Sequence, residues 1–287
     1  MNRTVILHAH LFKNAGTTID WILMQNFGSN FYDHRDNMAI RGGQEYLDSF
    51  FAKHPKLQAL SSHHLPLPLS SFRSCDTIKL IMLRHPIERV LSVYNFERKQ
   101  PASLSKGSEA ASHLDLKDYV DWRLNDTNRQ VISNYHVRCL IGAVGKKTLV
   151  DSDFERACDY LSSDFLYGVV DEFDKSLQLI AHKLRIVFPN FKAQYIKKNY
   201  SETNLITLKD KLNKLKGQLG SELYGQLLQA NEYDLKLYDI YKKELFRSYS
   251  KANMRPESLE IVPGHSVFSS ISNAFKLLHN KIKDQYE

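Results

Sequence analysis

Short apolar segments typical of buried β-strands alternate with helical segments over the first two-thirds of the chain. The strand segments are residues 4–10, 57–61, 77–83 and 165–170. The helical segments that separate or follow them are residues 17–27, 46–53, 86–98 and 173–188. Neighbouring parallel strands need a crossover connection, which is usually a helix. This alternation therefore predicts an α/β fold with a central parallel sheet flanked by helices.

The helical pattern continues without strands from residue 208 to residue 249, with one break near residues 217–220. A helical C-terminal third is therefore predicted. The 287 residues, 43% of them hydrophobic, can bury a sizeable core without metal ions or disulfide bonds. We predict one domain over residues 1–250, followed over residues 251–287 by a linker and a C-terminal amphipathic helix.

The C-terminal helix carries one apolar stripe. Its members are Val267, Phe268, Ile271, Phe275, Leu278 and Ile282. Lysines lie off the stripe, so two interpretations are open: the stripe packs on the domain or a second subunit, or it lies on an anionic membrane surface. We expect the packed arrangement, because the stripe has no tryptophan anchor and the linker at residues 256–264 is long enough to fold the helix back.

The longest aliphatic runs, such as residues 80–83, are far shorter than the roughly 20 apolar residues that cross a bilayer. Residues 1–10 are also too polar for the apolar core of a signal peptide. The cysteines Cys75, Cys139 and Cys158 are odd in number and widely spaced, which excludes a disulfide framework and a CxxC metal knuckle. Together these features predict a cytoplasmic protein.

Positive charge is concentrated in one segment of the chain. Residues 190–217 carry seven lysines against Glu202 and Asp210, which accounts for +5 of the formal net charge of +7. Such a segment is usually a solvated helical face, and the alternative is a docking surface for an anion. Zinc-finger spacing, an RNA-binding aromatic signature and a basic helix with heptads are all missing from the sequence. We therefore expect no nucleic-acid partner.

The first segment with chemical content lies between the first predicted strand and the first predicted helix, and runs from His10 through Lys13 to Thr18. Backbone N–H groups in a tight turn that opens a helix form an anion cradle, to which the helix dipole adds. Small residues at positions 15 and 16 let a phosphate approach, and Lys13 adds a positive charge. The segment lacks the Gly-Lys-Ser/Thr ending of a P-loop, which disfavours nucleoside triphosphate hydrolysis. The alternative is an ordinary strand-to-helix turn.

A second segment follows the strand at residues 77–83 and runs from Arg84 to Ser92. Ligands of open α/β sheets bind at the carboxyl edge, where Arg84 emerges. Ser92 lies about two helical turns further on, so a guanidinium and a hydroxyl group can converge on one phosphate. Taken alone, Arg84 and Arg89 would more often form ion pairs at a helix start. Together with the loop of Lys13, the segment suggests a nucleotide with phosphate groups at two positions.

These two segments resemble the 5′-phosphosulfate and 3′-phosphate motifs of sulfotransferases that use PAPS, 3′-phosphoadenosine 5′-phosphosulfate. They are most similar to the carbohydrate branch that includes heparan sulfate 2-O-sulfotransferase. Further similarities lie at residues 62–64, 134–142 and 167–173, so the resemblance spans roughly residues 4–250. It implies a three-layer, P-loop-NTPase-like fold, PAPS as co-substrate, no metal ion, and transfer to a hydroxyl group of a carbohydrate or glycolipid.

The resemblance also implies roles for individual residues. Lys13 would contact the 5′-phosphosulfate and its bridging oxygen, and His64 would be the general base that takes the proton of the acceptor hydroxyl. Arg84 and Ser92 would hold the 3′-phosphate, while Lys198 lies in a basic segment that in relatives closes over the nucleotide. The full set of implied donor-binding residues is His10, Lys13, Asn14, Ala15, Gly16, Thr17, Thr18, Arg84, Ser92 and Lys198.

Two other functions remain as alternatives. A P-loop-like kinase would need ATP and Mg²⁺, and a non-enzymatic nucleic-acid-binding protein would use the lysines of residues 192–216. A zinc site is not expected, because His8 and His10 share one strand face with no carboxylate near them in sequence. Acceptor specificity is predicted to lie in two loops, residues 30–43 and 100–113, the second of which we expect to be mobile.

Overall fold

The structure is a computed structural model that describes residues 3–143, 145, 148–195 and 207–254. Its centre is a five-stranded parallel sheet. The strands are β1 (Thr4–Ala9), β2 (Phe31–Asp33), β3 (Ala59–Ser62), β4 (Asp76–Leu83) and β5 (Phe165–Val169). Their order is β2-β3-β1-β4-β5, so β1 is the central strand and pairs with β3 and β4.

Helices surround and extend this sheet. They are α1 (Gly16–Phe27), α2 (Asn37–Ile40), α3 (Gly43–Lys53), α4 (Pro86–Glu97), α5 (Lys106–His113), α6 (Leu116–Asn125), α7 (Tyr135–Leu140), α8 (Asp151–Asp164), α9 (Phe173–Leu184), α10 (Leu208–Leu219), α11 (Ser221–Ala230) and α12 (Glu232–Lys251). The last three fill residues 208–251 without a strand, which confirms the predicted helical C-terminal part for the described residues.

The sheet is covered on both faces. On one face α1 and α9 pack against Ile6 and Leu80, and on the other face α3, α7, α8 and α12 pack against Leu7 and Ile81. Successive side chains of a strand point to opposite faces, so a strand covered on both sides reads as one continuous apolar run. The predicted three-layer, P-loop-NTPase-like fold is confirmed, with a turn into α1 directly after the central strand.

A separate group of helices extends the molecule beside the sheet. Helices α4, α5, α6, α10 and α11 share one buried cluster that includes Val93, Tyr119 and Leu215. This packing places α10, which carries part of the lysine-rich segment, directly against α4 at the carboxyl end of β4. The segment that looked like a solvated face in the sequence is therefore next to the sheet edge where ligands bind in this class of fold.

Two segments differ from their predictions. Residues 100–113, expected to be a mobile loop, contain α5, whose N-cap hydroxyl on Ser105 accepts a hydrogen bond from the Ser108 amide at 3.0 Å. Ala111 on that helix is fully buried against the α4 and α6 side chains, a contact that local composition does not reveal. Residues 30–43, expected to be a loop, contain the short edge strand β2, which pairs with β3.

The C-terminal helix, the linker from residue 255 onward and Lys198 lie outside the described residues. The proposed division of the chain at residue 250 therefore stays a prediction. Among the helices of the described part, none has both the length and the apolar character needed to cross a membrane.

A buried polar network ties α12 to the loop after β1. The Asp234 carboxylate accepts hydrogen bonds from the backbone amides of His136 at 2.8 Å and Val137 at 2.9 Å. The His136 ring has Nδ1 2.9 Å from that carboxylate and Nε2 2.7 Å from Nδ2 of Asn14. Asn14 Nδ2 also donates to the Met82 carbonyl at 2.7 Å. The loop after β1 is thus held in place by the sheet and by α7 and α12 together.

We expect Asp234→Ala to destabilise the protein by about 3–5 kcal/mol, because it removes a buried carboxylate and leaves two amides and an imidazole without their acceptor. Denaturant-induced unfolding measures this loss. Asp239→Ala, at an exposed position of the same helix, is the matched control and should change stability by less than about 0.5 kcal/mol. Equal effects of the two substitutions would contradict the anchoring role of Asp234.

Candidate functional site

The loop between β1 and α1 holds two non-glycine residues in the left-handed backbone region. Lys13 has φ 65° and Ala15 has φ 60°. Such conformations cost about 1–3 kcal/mol each and cluster at ligand sites. Ala15 is the N-cap of α1, which begins at Gly16 with no side chain capping its first amides. These N–H groups and the positive end of the helix dipole lie at the carboxyl edge of the sheet, where they can cradle an anion.

Gly16 is required by the histidine beneath it. A Cβ atom at position 16 would lie 1.9 Å from Cδ2 and 2.2 Å from Nε2 of His10, far inside van der Waals contact. His10 is itself buried at the end of β1. The predicted glycine of the anion cradle therefore serves a second purpose, because its missing side chain makes room for the imidazole.

Beneath the loop, Asp20 of α1 lies between His8 of β1 and His10, the residue that directly follows β1. Nδ1 of His8 is 2.8 Å from one carboxylate oxygen, and Nδ1 of His10 is 2.7 Å from the other. Ser61 on β3 also donates to this carboxylate. Burial alone would raise the pKa of Asp20, but the contacts with His10 and His8 hold it well below its usual range, while burial lowers the pKa of His8.

This cluster places a carboxylate beside His8 and His10, although none was expected from the residues near them in sequence. Asp20 is distant in sequence but is brought between them by the turn from β1 into α1. The nitrogen and oxygen atoms of the three residues lie within 4.8 Å of one another, close enough for one cation to contact all of them. Nδ1 of each imidazole already lies against its own carboxylate oxygen, while Nε2 of His8 is buried without a hydrogen-bond partner among the described residues. The predicted absence of a metal stays a prediction.

The turn after β3 carries two neighbouring histidines. The His63 ring lies against His10, with centroids 3.7 Å apart and the ring planes tilted by 37°, and the His64 backbone amide donates to the Ser62 hydroxyl at 3.2 Å. Both side chains reach solvent. Partial desolvation and the nearby His10 lower the pKa of His63 to about 4, and desolvation followed by Arg41 lowers the pKa of His64. Both imidazoles are therefore neutral near pH 7 and can accept a proton.

A ridge of four residues, spaced four apart, runs from the end of β4 along α4. Its members are Arg84, Glu88, Ser92 and Phe96. Nη1 of Arg84 donates to Oγ of Ser92 and to the Lys13 carbonyl, each at 2.9 Å. Nε and Nη2 of Arg84 donate to the two carboxylate oxygens of Glu88, the second at 2.6 Å. The Lys13 ammonium lies 4.5 Å from the centroid of the Phe96 ring.

A cavity of about 570 Å³ opens along this ridge, between α4 and α10. Within the described ranges, its charged lining residues are the cations Lys13, Arg84, Lys99, Lys211 and Lys214 and the single acid Glu88. Burial, followed by Arg84 and Lys99, lowers the pKa of Lys13. A concave site with five cations and this volume suits a small, multiply charged anion such as a nucleotide.

The structure brings three of the predicted residues, Lys13, Arg84 and Ser92, into this one cavity. Gly16 begins α1 above His10, with Thr17 exposed and Thr18 half-buried in its first turn. Asn14 turns its side-chain amide inward to the Met82 carbonyl, and its backbone N–H donates to the Leu11 carbonyl at 3.2 Å. It therefore supports the loop rather than offering a side chain to a ligand.

The predicted base does not line the cavity. Among the described residues, the cavity lining includes neither His63 nor His64; of the two, His63 lies against the His10 ring at the start of the loop.

Sequence reasoning missed several residues of the site. Glu88 and Phe96 share the four-residue spacing of Arg84 and Ser92, a signal that could have revealed them. Lys99, Lys211 and Lys214 come from the helical extension, and only the lysine density of α10 pointed to an anion there. Asp20 had no signal beyond being an acid on the apolar face of a predicted helix.

Comparison with known proteins adds independent findings. A family model described as the sulfotransferase family matches residues 2–242. The chain is similar to a protein of Archaeoglobus fulgidus described as uncharacterized, with 32% identity over 253 residues, 85% of this chain and 99% of that protein. A crystal structure of a sulfotransferase from Alicyclobacillus acidocaldarius aligns at 14% identity and a TM-score of 0.39, covering 83% of this chain and 100% of that one.

We expect Gly16→Ala to destabilise the protein by about 1–3 kcal/mol, because the added methyl group must displace the buried His10 ring. Gly225→Ala is the control: this glycine lies on α11 with open space where a Cβ would be, and alanine there should be neutral or stabilising by up to about 1 kcal/mol. Denaturant unfolding of the two variants measures the contrast. A neutral Gly16→Ala would show that His10 does not fix the loop.

Proposed function

The chain belongs to the sulfotransferase family, and from that premise we propose that it transfers a sulfuryl group from PAPS to a hydroxyl group of a carbohydrate or glycolipid acceptor. The observation that carries the donor assignment is that Lys13, Arg84 and Ser92 line one cation-rich cavity at the carboxyl edge of the sheet. PAPS carries anionic groups at both the 3′ and the 5′ position. The site offers two matching anion-binding features, the α1 amide cradle and the pair formed by Arg84 and Ser92.

In the proposed complex, the Gly16 and Thr17 amides of α1 and the Thr18 hydroxyl hold the 5′-phosphosulfate, because the Thr18 amide already donates to the Ala15 carbonyl at 3.0 Å. Arg84 and Ser92 hold the 3′-phosphate. Lys99, Lys211 and Lys214 add positive charge along the same cavity. Lys13 has its ammonium group over the Phe96 ring, a weak cation–π contact that costs little to leave. The amino group is then available to the oxygen that bridges phosphorus and sulfur.

The transfer step needs charge stabilisation and a base. The acceptor oxygen forms a bond to sulfur while the bond from sulfur to the bridging phosphate oxygen breaks, and that oxygen keeps the electron pair. Lys13 stabilises the resulting negative charge. His64 takes the proton of the acceptor hydroxyl, for which its lowered pKa keeps it neutral near pH 7. Sulfuryl transfer of this kind resembles phosphoryl transfer in requiring in-line geometry more than covalent help from the protein.

The acceptor assignment rests on the motif resemblance to the carbohydrate branch that includes heparan sulfate 2-O-sulfotransferase. The position of His64 supports a large acceptor, because its side chain reaches solvent on an open turn rather than lying in an enclosed pocket. Contact of the C-terminal helix with a membrane or a second subunit, the binding role of Lys198 and a cytoplasmic location all remain part of the proposal.

The donor assignment predicts a clear order of affinities. Adenosine 3′,5′-bisphosphate should bind at least tenfold more tightly than ATP in the absence of Mg²⁺, because it can reach Arg84 and the α1 amides together. Isothermal titration calorimetry at fixed salt measures both ligands. If ATP with Mg²⁺ binds as well as the bisphosphate, the kinase alternative is favoured; tight, steeply salt-dependent binding of oligonucleotides would favour the nucleic-acid alternative.

The two halves of the site should separate in kinetics. His64→Ala should lower turnover by about 100-fold or more while leaving bisphosphate affinity nearly unchanged, because the base acts only on the acceptor. Arg84→Ala should weaken bisphosphate binding by about 1.5–3 kcal/mol through the loss of a charge-assisted contact. His182→Ala, at an exposed position on α9, is the control and should change neither quantity. Full turnover in His64→Ala would rule out the assigned base.

A further inference from the structure

Glu88 occupies one of the two edges of the Arg84 guanidinium that can bind a phosphate with two hydrogen bonds. Both carboxylate oxygens of Glu88 accept hydrogen bonds from the guanidinium, through Nε and Nη2, in the paired arrangement that arginine also makes with phosphate. The remaining nitrogen, Nη1, is engaged by Ser92 and the Lys13 carbonyl. A phosphate that binds the Nε–Nη2 edge of Arg84 with two parallel hydrogen bonds must therefore displace Glu88, whereas one on the Nη1–Nη2 edge must displace Ser92 or the Lys13 carbonyl.

Glu88 is also the single acid among the charged residues lining this cavity in the described part of the chain. Its Oε1 lies 3.8 Å from the ammonium of Lys211 on α10, so a second cation is within reach on the opposite wall. The Glu88 and Arg84 side chains are mostly buried, with 13% and 19% of their surface exposed. In such a setting water screens the pair only partly, and the carboxylate lowers the positive potential that an incoming anion meets.

From this geometry we infer that Glu88 is a built-in competitor for the ligand phosphate, an inference that rests on the proposed function. Binding of the 3′-phosphate exchanges one set of hydrogen bonds on Arg84 for another, and Glu88 moves toward Lys211. A phosphomonoester carries a charge of about −1.5 to −2 at neutral pH, which exceeds the single negative charge of the Glu88 carboxylate that it displaces. The exchange therefore favours a phosphomonoester over singly charged anions, whose charge only equals that of the carboxylate. Glu88 thus lowers the affinity for all anions at this position and leaves a net gain only for the doubly charged one.

The opposing possibility is that Glu88 orients Arg84 for the phosphate and so helps binding. The two roles predict opposite signs for the isosteric substitution Glu88→Gln, which removes the charge but keeps the size. Competition predicts tighter binding of adenosine 3′,5′-bisphosphate, by about tenfold, because one nearby negative charge is removed. Adenosine 5′-monophosphate has no 3′-phosphate to place at Arg84, so its affinity should change by less than about twofold.

Calorimetric titration of the full chain with both nucleotides tests this. Glu232→Gln is the matched control, since Glu232 forms an ion pair with Lys236 at the same four-residue spacing, outside the cavity, and its loss changes net charge equally. Tightening in Glu88→Gln alone, and for the bisphosphate alone, is the expected result. Unchanged or weaker bisphosphate binding overturns the inference, and so does equal tightening for the monophosphate.

The outcome separates this inference from the proposed function. If the unmodified protein binds the bisphosphate no more tightly than the monophosphate, the PAPS assignment and the competitor role fail together. If the unmodified protein prefers the bisphosphate but Glu88→Gln gives no tightening, only the competitor role fails. Glu88→Ala, judged by thermal unfolding before titration, repeats the test should the glutamine variant fold poorly. Glu88→Asp keeps the charge and should bind more weakly than Glu88→Gln.

Discussion

The conformation of the loop between β1 and α1 depends on the buried amide of Asn14. One NH₂ group reaches the Met82 carbonyl on β4 and Nε2 of His136 on α7, so the loop is fixed to the sheet and to the helical layer at once. Asp234 supports that imidazole from α12, some hundred residues away in sequence. Lys13 and Ala15 can hold left-handed backbone conformations because their neighbour cannot move.

Charged groups below this loop are paired within the protein, whereas those above it, among the described residues, are mostly unpaired cations. Below it, Asp20 is buried among His8, His10 and Ser61, and so is compensated locally. Above it, cations outnumber acids, so the positive potential is left for something outside the protein. A buried charge without a partner would lower the free energy of unfolding by several kcal/mol. Asp20 can therefore be buried because the two histidines lie against it, whereas the cations of the cavity lie near solvent. Stability and ligand attraction are thus handled by different sets of charges.

The sequence was most informative where structure is local. The buried strands, the turn into α1 and the emergence of Arg84 at a strand end could all be predicted, because each depends on a pattern within ten residues or so. The helix at residues 106–113 could not, since burial of Ala111 by distant side chains stabilises it. Asp20 and Lys211 likewise join the site only through tertiary contacts. Glu88, the partner of Arg84, could have been predicted, because it follows Arg84 by four residues in the sequence.

The ridge along α4 makes the phase of the helix a condition for the arrangement of the cavity wall. Glu88, Ser92 and Phe96 point the same way because each follows the last by about one turn of α4, and Arg84 reaches this face from the residue pair just before the helix. Inserting or deleting one residue within this helix would rotate everything beyond it by about 100° and carry Ser92 or Phe96 away from Arg84. Among homologous proteins, insertions and deletions should therefore occur in the connections around α4 and be absent from its first three turns, even where individual side chains are substituted.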